Sequence, residues 1–198
     1  MKKLLIATSN AGKFLEYREI FKQLKILLEL VSLKDLNIET RMEEDGKTFE
    51  ENAVKKAKFY SQLVGLPTLA DDGGLEIDYL NGEPGVKSRR WPGYEATDEE
   101  MIKIALDKLN GVPKEKRGAR LKAVVALIFP EDQKIYTFVG FLRGQIAEKP
   151  TTQRIAGYPF RSIFVPSQSN KYLGELNIIA HRKEAIKKAL PLIKKYLC

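Results

Sequence analysis

LLIATSNAGKF, residues 4–14, joins an apolar run to a polar turn and then to the start of a helical pattern. Such a strand–turn–helix unit is the building block of an α/β protein. Its turn ends in Gly-Lys like a phosphate-binding P-loop. The glycine that should open such a loop is missing, and Phe14 stands where Ser or Thr would bind magnesium. The setting still suits an anion. A helix start leaves unpaired N–H groups and a partial positive charge, and Thr8, Asn10 and Lys13 add hydrogen-bonding groups and a cation. A capped helix carrying a surface lysine is the plainer alternative.

Outward from this unit, residues 3–8 read as a buried strand. Phe14, Tyr17, Ile20, Phe21 and Leu24 follow at helical spacing. A second strand is expected near ILLELVSL, residues 26–33. Thr48 with Glu51 has the spacing of a capping box, opening a helix whose stripe is Phe49, Ala53, Val54, Ala57, Tyr60 and Val64, with Gly65 to stop it. LPTLA, residues 66–70, is expected to be a short buried strand ending at DDGG, residues 71–74. Thr97 with Glu100 is a second capping box, and Gly111 with Pro113 ends that helix. LKAVVALIF (121–129) and KIYTFVGFL (134–142), separated by PEDQ, read as an antiparallel hairpin. The last helix begins near His181 and Arg182, and Pro191 inside it predicts a bend or an early end. No repeat, low-complexity segment or linker breaks the pattern. Loose alternation of strands and helices with added hairpins predicts an α/β fold on a mixed sheet.

The totals narrow the chemistry. The chain has 198 residues, enough for one domain or two small lobes sharing a core. A formal net charge of +8 suits an anionic partner such as a phosphorylated small molecule or nucleic acid, or simply a solvated basic surface. KKALPLIKKYL, residues 187–197, is basic but lacks aromatic interleaving, so specific nucleic-acid binding is not expected. The single cysteine, Cys198, forms no intrachain disulfide, which points to a reducing compartment. With one histidine, His181, a Cys/His zinc site is nearly excluded, and any metal would be a hard, oxygen-bound ion such as Mg2+. The N-terminal apolar run is too short for a signal peptide, and no window suffices to span a bilayer. A soluble, cytoplasmic protein is expected.

Three sets of residues have the makings of a site. Thr8, Asn10 and Lys13 outline a triphosphate grip. Glu44, in the acidic run 43–45, and the adjacent Asp71 and Asp72 have carboxylates that would repel one another unless a cation lies between them; an acidic turn is the alternative. Tyr158 and Phe160 could stack on a base or belong to the core. His181 and Arg182 could hydrogen-bond a purine edge or a phosphate, or lie on the surface as a cap.

TSNAGK, EEDGKTFEENAVKKA, LADDGGLEIDYLNGEPGVKSRRW, SIFVP and AHRKEAI occur in the order and spacing of the inosine triphosphate pyrophosphatase family. The chain resembles that family from Leu4 to about Leu190. The resemblance implies a single domain over residues 1–198, with a long mixed sheet and flanking helices. It also implies two lobes around a central nucleotide cleft, a homodimer, Mg2+, and hydrolysis of dITP, ITP and XTP to the monophosphate and pyrophosphate. It places Thr8, Ser9, Asn10 and Lys13 on the triphosphate, and Glu44, Asp71 and Asp72 at the metal, with Asp72 similar to the family's general base. Gly73, Tyr158, Phe160, Arg161, His181 and Arg182 complete the substrate-binding set, and Arg182 is the expected donor to the O6 acceptor of hypoxanthine or xanthine.

The departures from the family pattern cluster on one side. Gly73 replaces a serine of D-D-S-G. Tyr158-Pro159-Phe160-Arg161-Ser162 stands where the family reads F-G-Y-D-P, so that an acid has become Arg161. Leu176 and Asn177 fall where a lysine is usual, and Ala180 replaces the serine before His-Arg. The phosphate side matches and the base side is altered. Two alternatives follow: a pyrophosphatase of the same fold with shifted base preference, and a nucleotide-binding protein with weak turnover.

Overall fold

The structure is a computed structural model in which residues 2–131, 134–176 and 178–197 are described. Part of the PEDQ turn, Asn177 and Cys198 lie outside the described residues. The elements run β1 (Lys3–Ile6), α1 (Ala11–Gln23), β2 (Glu29–Ser32), α2 (Phe49–Val64), β3 (Thr68–Ile77), α3 (Asp98–Lys108), β4 (Gly118–Ile128), β5 (Ile135–Ile146), β6 (Phe164–Pro166) and α4 (Ala180–Leu197). The strands form one mixed sheet in the order β2-β1-β3-β4-β5-β6. β1 pairs parallel to both β2 and β3, and β5 pairs antiparallel to β6. The two runs read as a hairpin are β4 and β5, neighbours in this sheet and longer than the sequence suggested.

The caps behave as their side chains dictate. Thr48 Oγ1 accepts from Glu51 N, and Gly65 closes α2 with φ 67°, a left-handed conformation that glycine adopts without a Cβ clash. The second half of the expected capping box differs. Glu51 Oε2 accepts from Lys47 N at 2.8 Å, one residue further back, which ties the preceding loop to the helix. At α3 the box is complete, with Thr97 and Glu100 exchanging both bonds. Of the bend or early end expected from Pro191, the early end does not occur: α4 runs through it to Leu197. Ile193 and Leu197 beyond it are buried, and each such burial is worth about 1.5–3 kcal/mol, enough to offset a lost helical bond.

The largest departure from expectation is β3. It does not stop before the acids but continues for ten residues, with Asp71, Asp72, Gly73 and Gly74 in mid-strand. Successive side chains of a strand point to opposite faces. Two adjacent acids, expected to crowd one another at a strand end, are thereby separated.

The chain divides into two compact units. The first comprises residues 1–72, 123–140 and 179–198; the second, 73–122 and 141–178. The first has its core in Leu4, Ile6, Tyr17, Ile20, Leu69, Leu127, Phe129 and Ile186, with Tyr196 stacked on Phe129 at a ring separation of 4.2 Å. The second is built on Leu75, Ile77, Met101, Leu109, Ile146, Ile163 and Phe164. Its buried Arg117 donates to the carbonyls of Leu109, Ile146 and Ala147, stapling the end of α3 to β5.

Gly140 on β5 sets how closely α4 can approach. A Cβ there would lie 2.0 Å from His181 O and 2.7 Å from Ala185 N, both backbone atoms of α4. Gly140→Ala is therefore expected to lift the first turns of α4 and cost about 3 kcal/mol in urea unfolding. A change below about 0.5 kcal/mol, within the range of neutral surface substitutions, would show that α4 is free to shift.

Candidate active site

The turn after β1 is organised by its own side chains. Asn10 caps α1, its Oδ1 accepting from Lys13 N at 3.2 Å, and Thr8 Oγ1 accepts from Asn10 N at 3.2 Å. The first turn of α1 carries no acid, so nothing in that turn neutralises the positive end of the helix. Thr8 and Asn10 are half-buried and Ser9 is exposed. Lys13 points into the first unit, with its side chain 16% exposed.

One face of β3 presents Asp71, 1% exposed, to two cations. Lys13 Nζ lies 3.3 Å and Arg182 Nε 3.1 Å from its Oδ2. Arg182, itself buried, gives Nη1 to Glu16 at 2.8 Å and to His181 Nε2 at 3.0 Å. A guanidinium only donates, so His181 Nε2 accepts and carries no proton. Burial alone would raise the Asp71 pKa, but Lys13, Arg182 and Lys56 outweigh it and hold the carboxyl well below the usual carboxylate range. Lys13 is pulled below the ordinary lysine value, first by burial and then by Lys56 and Arg182, against the opposing pull of Asp71. Tyr17, one turn beyond Lys13, is fully buried, and burial followed by the Asp71 charge pushes its phenol well up.

The other face presents Asp72 to α2. Asn52 Nδ2 donates to Asp72 Oδ2 at 2.9 Å. Lys56, one turn further along α2, holds Glu44 Oε1 at 2.5 Å. Burial raises the Asp72 carboxyl, with Glu44 adding to the rise, while Lys56 and Lys13 pull against it; the net direction is up. Burial works against the Lys56 charge, yet Asp72, Glu44 and Asp71 together raise its pKa.

These positions give the expected site residues their surroundings. Among the described residues, no three His, Cys, Asp or Glu side chains converge as a metal site. Asp71 is turned toward cations, leaving Glu44 and Asp72 as the acids that share a neighbourhood around Lys56. Arg182 is 4% exposed and tied to Asp71 and Glu16. His181, 5% exposed, is neither a surface residue nor a cap.

In the second unit, Phe160 is buried in the apolar core, and the Arg161 guanidinium lies 4.5 Å from the centre of the Tyr158 ring. Gly73, half-buried, opens the second-unit part of β3. The sequence reading missed Glu16, Asn52 and Lys56. Asn52 and Lys56 are spaced i, i+4 beside the apolar stripe of α2, and polar residues on that arc were the available signal.

The chain matches the Ham1 family over residues 4–192. It is 40% identical over 202 residues to the dITP/XTP pyrophosphatase of Geobacter sulfurreducens, covering 100% of this chain and 97% of that protein. It is 37% identical to the dITP/XTP pyrophosphatase of Bacillus subtilis, covering 98% of each. Among solved structures, the Staphylococcus aureus Ham1 protein superposes with a TM-score of 0.81 at 30% identity, covering 98% of this chain and 99% of that one. The nucleoside-triphosphatase / dITP/XTP pyrophosphatase of Mycobacterium abscessus gives a TM-score of 0.71 at 34% identity, covering 99% and 98%. No helix among the described residues is long and apolar enough to cross a membrane. A match running nearly from end to end, in sequence and in fold, makes this chain a member of the Ham1 family.

Proposed function

We propose that the chain hydrolyses dITP, ITP and XTP to the nucleoside monophosphate and pyrophosphate. The observation that carries this reading is the division of charge around β3. Lys13, at an acid-free helix start, is anchored by Asp71 on one face, while Asp72 stands beside Glu44 and Lys56 on the other. The names of the relatives, dITP/XTP pyrophosphatases, supply the substrate class.

In this reading Lys13 and the start of α1 bind phosphate oxygens and stabilise the charge that builds on them. Asp72 orients or deprotonates the attacking water, a role suited to a carboxyl whose pKa burial has raised. Glu44 and Asp72 also fit magnesium. The Glu44 charge disfavours ionisation of Asp72, a repulsion that a divalent ion would relieve, and one or two carboxylates with phosphate oxygens are its usual ligands. Bound there, magnesium would polarise the phosphate oxygens and offset charge on the departing pyrophosphate. We assign base choice to the Tyr158–Arg161 pair, where a guanidinium favours acceptor-bearing bases. On the resemblance, we take the working form to be a cytoplasmic homodimer.

The test is a panel of dITP, XTP, ITP, dGTP and dATP with magnesium, scored for pyrophosphate against orthophosphate. Pyrophosphate is expected throughout, with dITP and XTP favoured over dATP by about 10–100-fold, the discrimination that one mispaired polar contact gives. Release of orthophosphate alone, or tight binding without turnover, would overturn the reading. A preference for dATP would reject the base assignment and keep the chemistry.

A further inference from the structure

We propose that Asn52 is a positioning residue that holds Asp72 and the loop bearing Glu44 in one register. It rests on reading those acids as the reactive pair. Asn52 is 2% exposed in α2, and both ends of its amide are used. Its Oδ1 accepts from Gly46 N at 2.7 Å, and its Nδ2 donates to Asp72 Oδ2 at 2.9 Å. The first bond decides the second. Because the oxygen is committed to a backbone N–H, the amide can turn only its nitrogen toward the carboxylate. A carboxylate at this position would turn acceptors toward Asp72 and repel it.

The loop itself has little freedom to choose another seat. A Cβ on Gly46 would lie 2.5 Å from Asn52 Oδ1 and 2.9 Å from Glu51 Cβ, so the backbone lies directly on the start of α2. Glu51 takes the Lys47 N–H, Lys55 pairs with Asp45 at 2.6 Å, and Lys56 pairs with Glu44. Lys55–Asp45 is exposed and contributes little. Asn52 touches both the loop backbone and Asp72. A shift of the loop is thereby passed to the reactive carboxylate through two short bonds and one rigid amide.

The experiment compares Asn52→Asp and Asn52→Ala with the wild type. Asn52→Asp keeps the acceptor for Gly46 N–H and loses the donor to Asp72; Asn52→Ala loses both. Each variant is expected to lower kcat for dITP about 100-fold with KM within about threefold, the signature of a misplaced reacting group rather than lost binding. In Asn52→Ala the loop is also released, so Mn2+ binding, followed by water-proton relaxation, is expected to weaken about tenfold, and less in Asn52→Asp. A kcat within threefold of wild type, or a loss confined to KM, would overturn the assignment. Should neither variant fold, side-chain amide exchange in the 15N-labelled wild type decides. One slowly exchanging Asn52 proton is expected, and two exchanging at the rate of a free amide would refute the bond. If the wild type itself makes no pyrophosphate from any triphosphate, the proposed function fails, while the exchange measurement still judges the Asn52 bridge.

Discussion

An Asp72→Asn variant is expected to release pyrophosphate from dITP about 10³-fold more slowly than the wild type, the middle of the range for a positioned general base. That loss corresponds to about 4 kcal/mol of transition-state stabilisation. The substitution is nearly isosteric, and an amide oxygen can still accept from Asn52 Nδ2, so the fold should hold. What disappears is the negative charge, and with it both the capacity to take a proton and half of the proposed Glu44–Asp72 donor set. KM should move far less than kcat, since Lys13 and the helix start, which grip the phosphates in this reading, are untouched. Steady-state kinetics at saturating magnesium would check this, alongside thermal unfolding to show that structure is retained. A kcat within fivefold of wild type would remove Asp72 from the reaction.

Asp71→Asn is expected to act on stability instead. Asp71 neutralises the buried Arg182 and the half-buried Lys13, and removing one partner of such a cluster costs about 3–5 kcal/mol because the others remain largely desolvated. Glu16 still pairs with Arg182, so Lys13 bears most of the loss. Against a typical domain stability of about 5–15 kcal/mol, this is about a fifth or more of the total. The pH dependence has a definite sign. The folded pKa of Asp71 is depressed, so its contribution is complete above the unfolded value of about 3.9 and is lost as pH falls through the folded value. The gap between wild type and variant in urea unfolding should therefore be full at pH 7 and narrow only in strong acid. A gap below about 1 kcal/mol at pH 7, the size of an exposed ion pair, would mean that Asp71 is not the anchor described.

The two substitutions differ by one position, and the difference marks what the sequence could reveal. Caps were readable because Thr48 and Thr97 act on N–H groups three residues away. The apolar stripes of α1 and α2 were readable because helical periodicity is a local property, and Tyr17, Ile20, Phe21, Ala53, Ala57 and Tyr60 are indeed buried. The candidate acids and Lys13 stood out by residue type and spacing. Their contacts did not, because partners come from far along the chain: Arg182 meets Asp71 across 111 positions. Ending β3 at Ala70, before the acids and glycines, was the consequential misreading. Gly73 and Gly74 look like a turn, but pairing with neighbouring strands outweighs glycine's weak strand preference. Asn52 and Lys56 were passed over because polar residues on a helix are ordinarily solvated, and only the packed acids show why these two are inside.

The alternation of β3 makes the site intolerant of changes in chain length. Delete or insert one residue between Thr68 and Asp71, and every side chain beyond it changes sides. Asp72, the proton acceptor in the proposed reading, would then be locked among lysine and arginine, and its neighbour would be left facing α2. The same two aspartates would still be present, in the wrong order for the proposed reaction.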